Sequence, residues 1–190
     1  MRHDVLIAGF GGQGVLLMGQ LIAEAAMDEG LHVTWFPSYG PEMRGGTANC
    51  TTVYSDEEIG SPIAAQYDYV IAMNQPSMER FSPHVRPGGT LLVNESMVPV
   101  RYEHDEIRVI YVPLAEIANQ VGNERVGNVA MLGAFLALEP SLGSDAFEKA
   151  IRQVIGIKRA DTLDANLAAL RAGRRAVIES ESPSPAAIVR

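Results

Sequence analysis

With 190 residues the chain has room for one substantial domain with a well-buried core, since a domain commonly takes ~100–200 residues. Charged residues at 20% and apolar residues at 47% are ordinary for a globular protein, and a net charge of -8 with a pI near 5.0 opposes a polyanionic partner such as nucleic acid. Cys50 is the only cysteine, which excludes an internal disulfide and leaves this chain without the set of thiolates that an iron–sulfur cluster needs.

The first apolar run, DVLIAG at 4–9, leads into GFGGQG at 9–14. Gly9, Gly11 and Gly14 fit the G-x-G-x-x-G spacing, in which glycines permit a tight turn, close approach of backbone to a phosphate, and close packing of helix on strand. Val15, Met18, Leu21, Ile22, Ala25 and Ala26 then recur at spacings of three and four, which gives a helix one apolar face, and Gly30 is suited to end it. A dinucleotide site also needs an acid about 20 residues on, at the end of the second strand. That strand, HVTWF at 32–36, ends instead in Pro37 and Ser38, and Glu42 comes several residues later. The glycine loop therefore stands without the ribose-binding half of an NAD or FAD site, and a ligand-free β–α turn is the alternative reading.

The next stretch, PSYGPEMRGGTAN at 37–49, reads as one long loop, where ~4–6 residues would ordinarily join two strands. Arg44 beside Gly45 and Gly46 offers a guanidinium next to bare backbone N–H groups, a combination suited to phosphate or carboxylate. An internal ion pair between Glu42 and Arg44 that staples the loop is an equal alternative. TANCTTVYS at 47–55 alternates in polarity and is expected toward a sheet edge, whereas YDYVIAM, GTLLVN and IRVIYVP are nearly continuous apolar runs, as in strands buried on both faces.

Six strands, with helical stretches after the first, fourth and sixth, predict an α/β fold with a Rossmann-like, open, largely parallel sheet flanked by helices. Residues after 113 turn helical in LAEIANQVG, NVAMLGAFLALE, SDAFEKAIRQVIG and DTLDANLAALRAGRRAVIES, with Ser144 and Asp161 as expected N-caps and Gly122, Gly143 and Gly156 as punctuation. The expectation is a single α/β domain over 1–179 whose helical C-terminal part packs on the sheet, followed by a Ser- and Pro-rich flexible tail at 180–190. Ligands of open α/β sheets collect beyond the carboxyl ends of the strands, which places the loop at 9–14 and the loop after the second strand on one edge.

Other candidates carry bland readings beside the functional ones. Asn74 and Gln75 end the fourth strand and either line the cleft or build a turn. Asn128 precedes an apolar helix and is expected to cap it, Gly88 and Gly89 to turn the chain into the next strand, and Cys50 to be a small buried apolar side chain. His3, His32, His84 and His104 show no metal-ligand spacing, and no metal site is expected. No apolar run approaches the ~18 residues of a membrane span and no signal-peptide pattern opens the chain, so no membrane contact and a cytoplasmic location are expected.

Both loops in order carry a resemblance. IAGFGGQGVLLMGQLIAEAA at 7–26, followed by TWFPSYGPEMRGGTANCTTVYSDEEIGSP at 34–62, resembles the gamma subunit of 2-oxoacid:ferredoxin oxidoreductases, most of all the 2-oxoglutarate branch, known as 2-oxoglutarate synthase. The likeness continues through DYVIAMNQPSMERF, GGTLLVNESMV, NVAMLGAFLAL and KRADTLDANLAALRAG, so it spans roughly residues 3–175. It implies a subunit, inactive alone, of a complex that oxidatively decarboxylates a 2-oxoacid, conjugates the acyl group to coenzyme A and reduces ferredoxin. Partners would be alpha and beta subunits holding thiamine diphosphate and a ferredoxin-like delta subunit holding iron–sulfur clusters. Pyruvate-type gamma chains tend to carry Arg-Arg-Gly-Ala where this chain has EMRGGTAN, which favours 2-oxoglutarate over pyruvate, with branched-chain or indolepyruvate types as the alternative. Carried over residue by residue, the cofactor-binding candidates are Gly9, Gly11, Gly12, Gln13 and Gly14 in the first loop and Ser38, Tyr39, Gly40, Pro41, Glu42, Arg44, Gly45 and Gly46 in the second, with coenzyme A as the candidate contact. No catalytic residue is expected on this chain, because thiamine does the carbon chemistry in such enzymes. A lone nucleotide-binding protein and a non-catalytic scaffold remain the rival readings, and an unpartnered face leaves room for an isologous homodimer in isolation.

Overall fold

The computed structural model describes residues 1–39, 46–157 and 159–181. Six strands form one sheet in the order β2-β3-β1-β4-β5-β6, where β1 is Arg2–Phe10, β2 His32–Tyr39, β3 Thr47–Ser55, β4 Tyr67–Ala72, β5 Val85–Asn94 and β6 Arg108–Val112. β1, β4, β5 and β6 run parallel, as the apolar runs predict, while β3 is antiparallel to both β1 and β2. β3 thus lies one strand in from the edge, and the edge itself is β2. Pro37 sits in that edge strand, a position where the missing N–H costs little because one side of the strand has no neighbour. Pro37–Tyr39, expected to belong to a long loop, instead extend β2 and pair with Ala48–Cys50 of the strand expected at 47–55, which makes a β2–β3 hairpin.

The helices cover the sheet unevenly. α1 (Val15–Asp28), α3 (Leu114–Val121), α4 (Gly127–Leu138), α5 (Ser144–Ile151) and α6 (Leu163–Glu181) share the large core with Val5, Ile7, Cys50, Tyr54, Ile71 and Leu92 on one face. α2 (Gln75–Phe81) adds Met78 to the smaller core on the other, with Leu6, Val70, Ala72, Leu91 and Val93. The alternation of Val5 and Ile7 with Leu6 follows from the two-residue period of a strand. α1 ends in a Schellman turn, in which Gly30 at φ 79° donates to the Met27 carbonyl and Leu31 to that of Ala26. Gly122 ends α3 in the same left-handed conformation.

α4 is buried on nearly all sides from Val129 to Leu136 and crosses α6 at close range. A Cβ added at Gly133 would lie 2.0 Å from the Leu170 carbonyl oxygen, and one at Gly173 would lie 1.8 Å from that of Ala130, so both glycines are required by the backbone approach. Two expected caps are replaced. Ser144 is the first residue of α5, with Gly143 at the cap position, and its hydroxyl accepts from Arg174 Nη1 at 2.7 Å; Asp161 lies in the 3-10 turn Ala160–Thr162 ahead of α6. α6 continues to Glu181, into the stretch expected as tail, and residues 182–190 are outside the described residues.

Ionisable groups are buried at the amino end of β1. The Asp4 N–H donates to the Asp68 carboxylate at 2.7 Å, and the half-exposed Arg86 ion-pairs with Asp68 without hydrogen-bond geometry. Glu139, 1% exposed, accepts from the Ser141 N–H at 2.9 Å through Oε1, while its Oε2 lies 3.4 Å from His3 Nδ1 with neither atom hydrogen-bonded. Tyr54, stacked on His3, and Tyr69, which donates to the Leu138 carbonyl, have hydroxyls pushed well above the usual phenol range, first by burial and then by the Glu139 charge.

Candidate functional site

The site is built where β1 hands over to α1. Gly9 leaves no space for a side chain: a Cβ there would come within 2.9 Å of Gln13 Oε1, Met73 Cβ and Val15 Cγ2. The loop then turns through Gly12 at φ 100° and Gly14 at φ 74°, conformations that only glycine adopts without strain. Gly14 occupies the N-cap of α1 with no side-chain cap, so among the described residues no side chain takes up the first-turn N–H groups at this end of the sheet. At Gly14 a Cβ would also meet Asn128 Nδ2 at 2.3 Å, which fixes α4 against the loop. Asn128 is accordingly not the expected cap: it lies inside α4, next to the loop, and Val126 takes the cap position.

Gln13 holds the turn. Its Oε1 accepts from the Phe10 N–H at 2.7 Å and from Asn74 Nδ2 at 2.9 Å, and its Nε2 donates to the Met73 carbonyl at 3.0 Å. The same carbonyl accepts from Asn94 Nδ2 at 3.1 Å. Asn74 also caps α2 through the Ser77 N–H, which is its turn role, and it holds Gln13 from behind without lining the cleft, whereas Gln75 reaches out to Glu79. Three strand ends are thereby clipped together by neutral amides.

A cleft of 680 Å³ opens over this clip. Gly12, Gln13 and Gly14 form one wall, Asn94, Ser96 and Met97 another, and residues from α3 and the start of α4 close it, with Glu124, Arg125 and Asn128 contributing the polar rim. Among the described residues nothing pairs with the Arg125 guanidinium, so the cleft offers a cation, a helix N-terminus and bare loop backbone together. That set suits an anion such as a phosphate diester.

The second loop meets the first: Gly11 N–H donates to the Gly46 carbonyl at 3.0 Å, as expected of two loops at one sheet edge. Gly46 and the exposed Ser38, which pairs with Asn49 across the hairpin, do not line the cleft. Tyr39 closes β2 opposite Ala48. Gly40, Pro41, Glu42, Arg44 and Gly45 lie outside the described residues. Sequence reasoning missed Asn94, Ser96, Asn119, Glu124 and Arg125. Asn94 was accessible to it by the same rule that singled out Asn74, since both end parallel strands at the ligand side.

Cys50 is fully buried, donates weakly to the Val15 carbonyl at 3.4 Å and has its thiol pushed up to about 12 by burial, as fits a structural residue. Gly88, at φ 78°, and Gly89 sit in an irregular start of β5, where the register with β4 shifts. No described helix is long and apolar enough to cross a membrane.

A family model described as pyruvate ferredoxin/flavodoxin oxidoreductase matches residues 4–176. The ketoisovalerate oxidoreductase subunit VorA of Methanothermobacter marburgensis is 45% identical over 170 residues, 89% of this chain but 35% of its own length, so the chain spans about a third of that relative. The 2-oxoglutarate synthase subunit KorC of the same organism is 34% identical over 188 residues, 95% of this chain and 100% of its own. Among solved structures, a keto/oxoacid ferredoxin oxidoreductase gamma subunit from Geobacter sulfurreducens PCA aligns with a TM-score of 0.80 at 28% identity, covering 93% of this chain and 99% of that one.

Proposed function

The chain belongs to the pyruvate ferredoxin/flavodoxin oxidoreductase family, and on that premise we propose that it is the gamma component of a complex that oxidises a 2-oxoacid. In that reaction the acid loses carbon dioxide, its acyl group passes to the sulfur of coenzyme A, and the released electron pair leaves one electron at a time to ferredoxin. Thiamine diphosphate, held by partner subunits, supplies the carbanion chemistry when bound.

This chain contributes binding rather than bond-breaking. The supporting observation is the cleft in which the α1 N-terminus, Gly12 and Gly14 backbone and Arg125, without an ion-pair partner among the described residues, converge. Its chemistry fits the diphosphate of coenzyme A: N–H donors without side chains allow close approach, and a guanidinium adds a forked, charge-assisted donor. Gln13 and Asn94 set the loop's position from behind, through Met73 and Phe10. The family likeness extends the partners to thiamine-bearing alpha and beta subunits and a cluster-bearing delta subunit, in the cytoplasm.

For the 2-oxoacid, the EMRGGTAN motif favours 2-oxoglutarate. A second reading, a branched-chain 2-oxoacid, is favoured by the 45% identity to a ketoisovalerate subunit against 34% to a 2-oxoglutarate subunit. One experiment tests function and substrate together. The tagged chain is purified from its native host and assayed for coenzyme A-dependent reduction of a low-potential dye with 2-oxoglutarate, 3-methyl-2-oxobutanoate, pyruvate and indolepyruvate in parallel. Co-purifying partners and turnover of one acid are expected; a chain recovered alone, with no turnover of any acid, sinks the proposal. Arg125→Ala in the complex is expected to raise the KM for coenzyme A about tenfold, the worth of a charged hydrogen bond, with the KM for the 2-oxoacid unchanged.

A further inference from the structure

A second cleft, of 470 Å³, lies beside the first between α1, α4, α6 and the π-helical turn Arg152–Gly156. Arg125 and Asn128 belong to both clefts; Arg159, Thr162 and Asn166 belong only to the second. Its chemistry is unusual for this molecule. The chain carries a net charge of -8, yet two guanidinium groups, Arg125 and Arg159, border this cleft and none of its described lining is acidic. Among the described residues neither guanidinium has an ion-pair partner. Two cations that border one cleft with no carboxylate in its described lining favour an anion between them.

The remaining lining narrows the class of anion. Asn123, Asn128, Asn166 and Gln20 bring amides, which both donate and accept, as the edges of a nucleobase and the hydroxyls of a ribose require. Asn166 is 7% exposed, and its Nδ2 is fixed on the Thr162 carbonyl at 2.8 Å, so this polar group is held in place from within the fold. Leu17, Val154 and Ile155 supply an apolar wall against which a flat ring can pack. The volume falls in the ~300–1,000 Å³ range of small-molecule sites.

We propose that this cleft binds a phosphorylated nucleoside, with its phosphate between Arg125 and Arg159 and its base on the Leu17, Val154 and Ile155 wall. Such a group has two sources: a free nucleotide, or the nucleotide end of a coenzyme A whose remainder occupies the first cleft. The second source rests on the coenzyme A reading above; the first does not. In either case Arg125 stands between two anion sites and couples their occupancy.

The test is titration calorimetry on the full chain with adenosine 5′-monophosphate, guanosine 5′-monophosphate, coenzyme A and 4′-phosphopantetheine. The variants are Arg159→Ala and Arg159→Lys, which change only the second cleft, and Asn119→Ala, which changes only the first. Arg159 is exposed and its guanidinium has no ion-pair partner among the described residues, and the melting temperature of each variant checks that it folds. A mononucleotide is expected to bind with a dissociation constant below about 1 mM, weakened about tenfold or more by Arg159→Ala and less by Arg159→Lys. Coenzyme A weakened by both Arg159→Ala and Asn119→Ala identifies the bound nucleotide as its end; coenzyme A untouched by Arg159→Ala identifies a free nucleotide. If neither mononucleotide binds at millimolar concentration, or Arg159→Ala binds it as tightly as the parent, the proposal is overturned, whatever 4′-phosphopantetheine and coenzyme A do at the first cleft.

Discussion

At the carboxyl end of β1 the polar side chains that organise the fold are neutral amides, Gln13, Asn74 and Asn94, each hydrogen-bonded within the protein. At the amino end, Asp68, Glu139, His3 and Tyr54 are ionisable, and several of their atoms are buried without a hydrogen bond. The difference has a physical logic. Amides fix a backbone turn without adding a field, so behind the loop nothing opposes the helix N-terminus and Arg125, and the cleft's described carboxylate, Glu124, lies at the rim; a carboxylate in the place of Gln13 would repel an incoming anion from beneath the loop. Charges that serve only the fold are placed at the end of the sheet away from the cleft, where they cost desolvation but disturb no ligand.

This contrast can be broken from either side. Gln13→Leu strands the Phe10 N–H and the Asn74 amide and takes one of two donors from the Met73 carbonyl, which keeps Asn94; at roughly 1 kcal/mol for each lost hydrogen bond the loss of unfolding free energy is expected to be about 3 kcal/mol, independent of salt. Arg86→Ala removes the ion-pair partner of Asp68, leaving the weaker field of Arg2, and is expected to cost about 2 kcal/mol, below the ~3–5 kcal/mol of a fully buried pair because Arg86 is half exposed. Its effect should shrink when urea titrations are repeated at high salt, which Gln13→Leu should not show. Gly14→Ala is expected to cost about 1–2 kcal/mol from the left-handed backbone alone. Adding Asn128→Ala should recover only the part due to the 2.3 Å contact, as a double-mutant cycle will show. The smallest effect concerns Cys50. Its thiol, raised to about 12 in the fold, should resist an aromatic disulfide reagent at pH 8 in the native chain and react at once in guanidinium. A folded-state value above the unfolded one means that Cys50 favours folding at neutral pH, and that this contribution fades as pH climbs from the ordinary thiol range toward 12.

All six strands and the C-terminal helices were legible because their apolar periods are strong and their ends are marked by Gly, Pro and Asn. The hairpin was not, because Pro37 and Ser38 read as loop residues; only the edge position of β2, a tertiary fact, makes a proline acceptable there. Asn128 misled for a related reason. Asparagine before an apolar helix is a good cap locally, but the approach of α4 to Gly14 assigns its amide to the loop. The glycine loop itself was visible, since its spacing encodes its conformation. Arg125 was not, because it stands more than a hundred residues away and only the return of the chain through α3 brings it over α1.

The close crossing of α4 and α6 has a consequence for synthesis. α4 is apolar all round, so it has no face that water accepts, and its backbone-level partner Gly173 lies about forty residues further along. A nascent chain that has already released the whole sheet from the ribosome still exposes α4 until α6 emerges. The domain is therefore completed late, and a stop codon ahead of α6 is expected to send the product to chaperones and aggregates rather than to a shortened but folded protein.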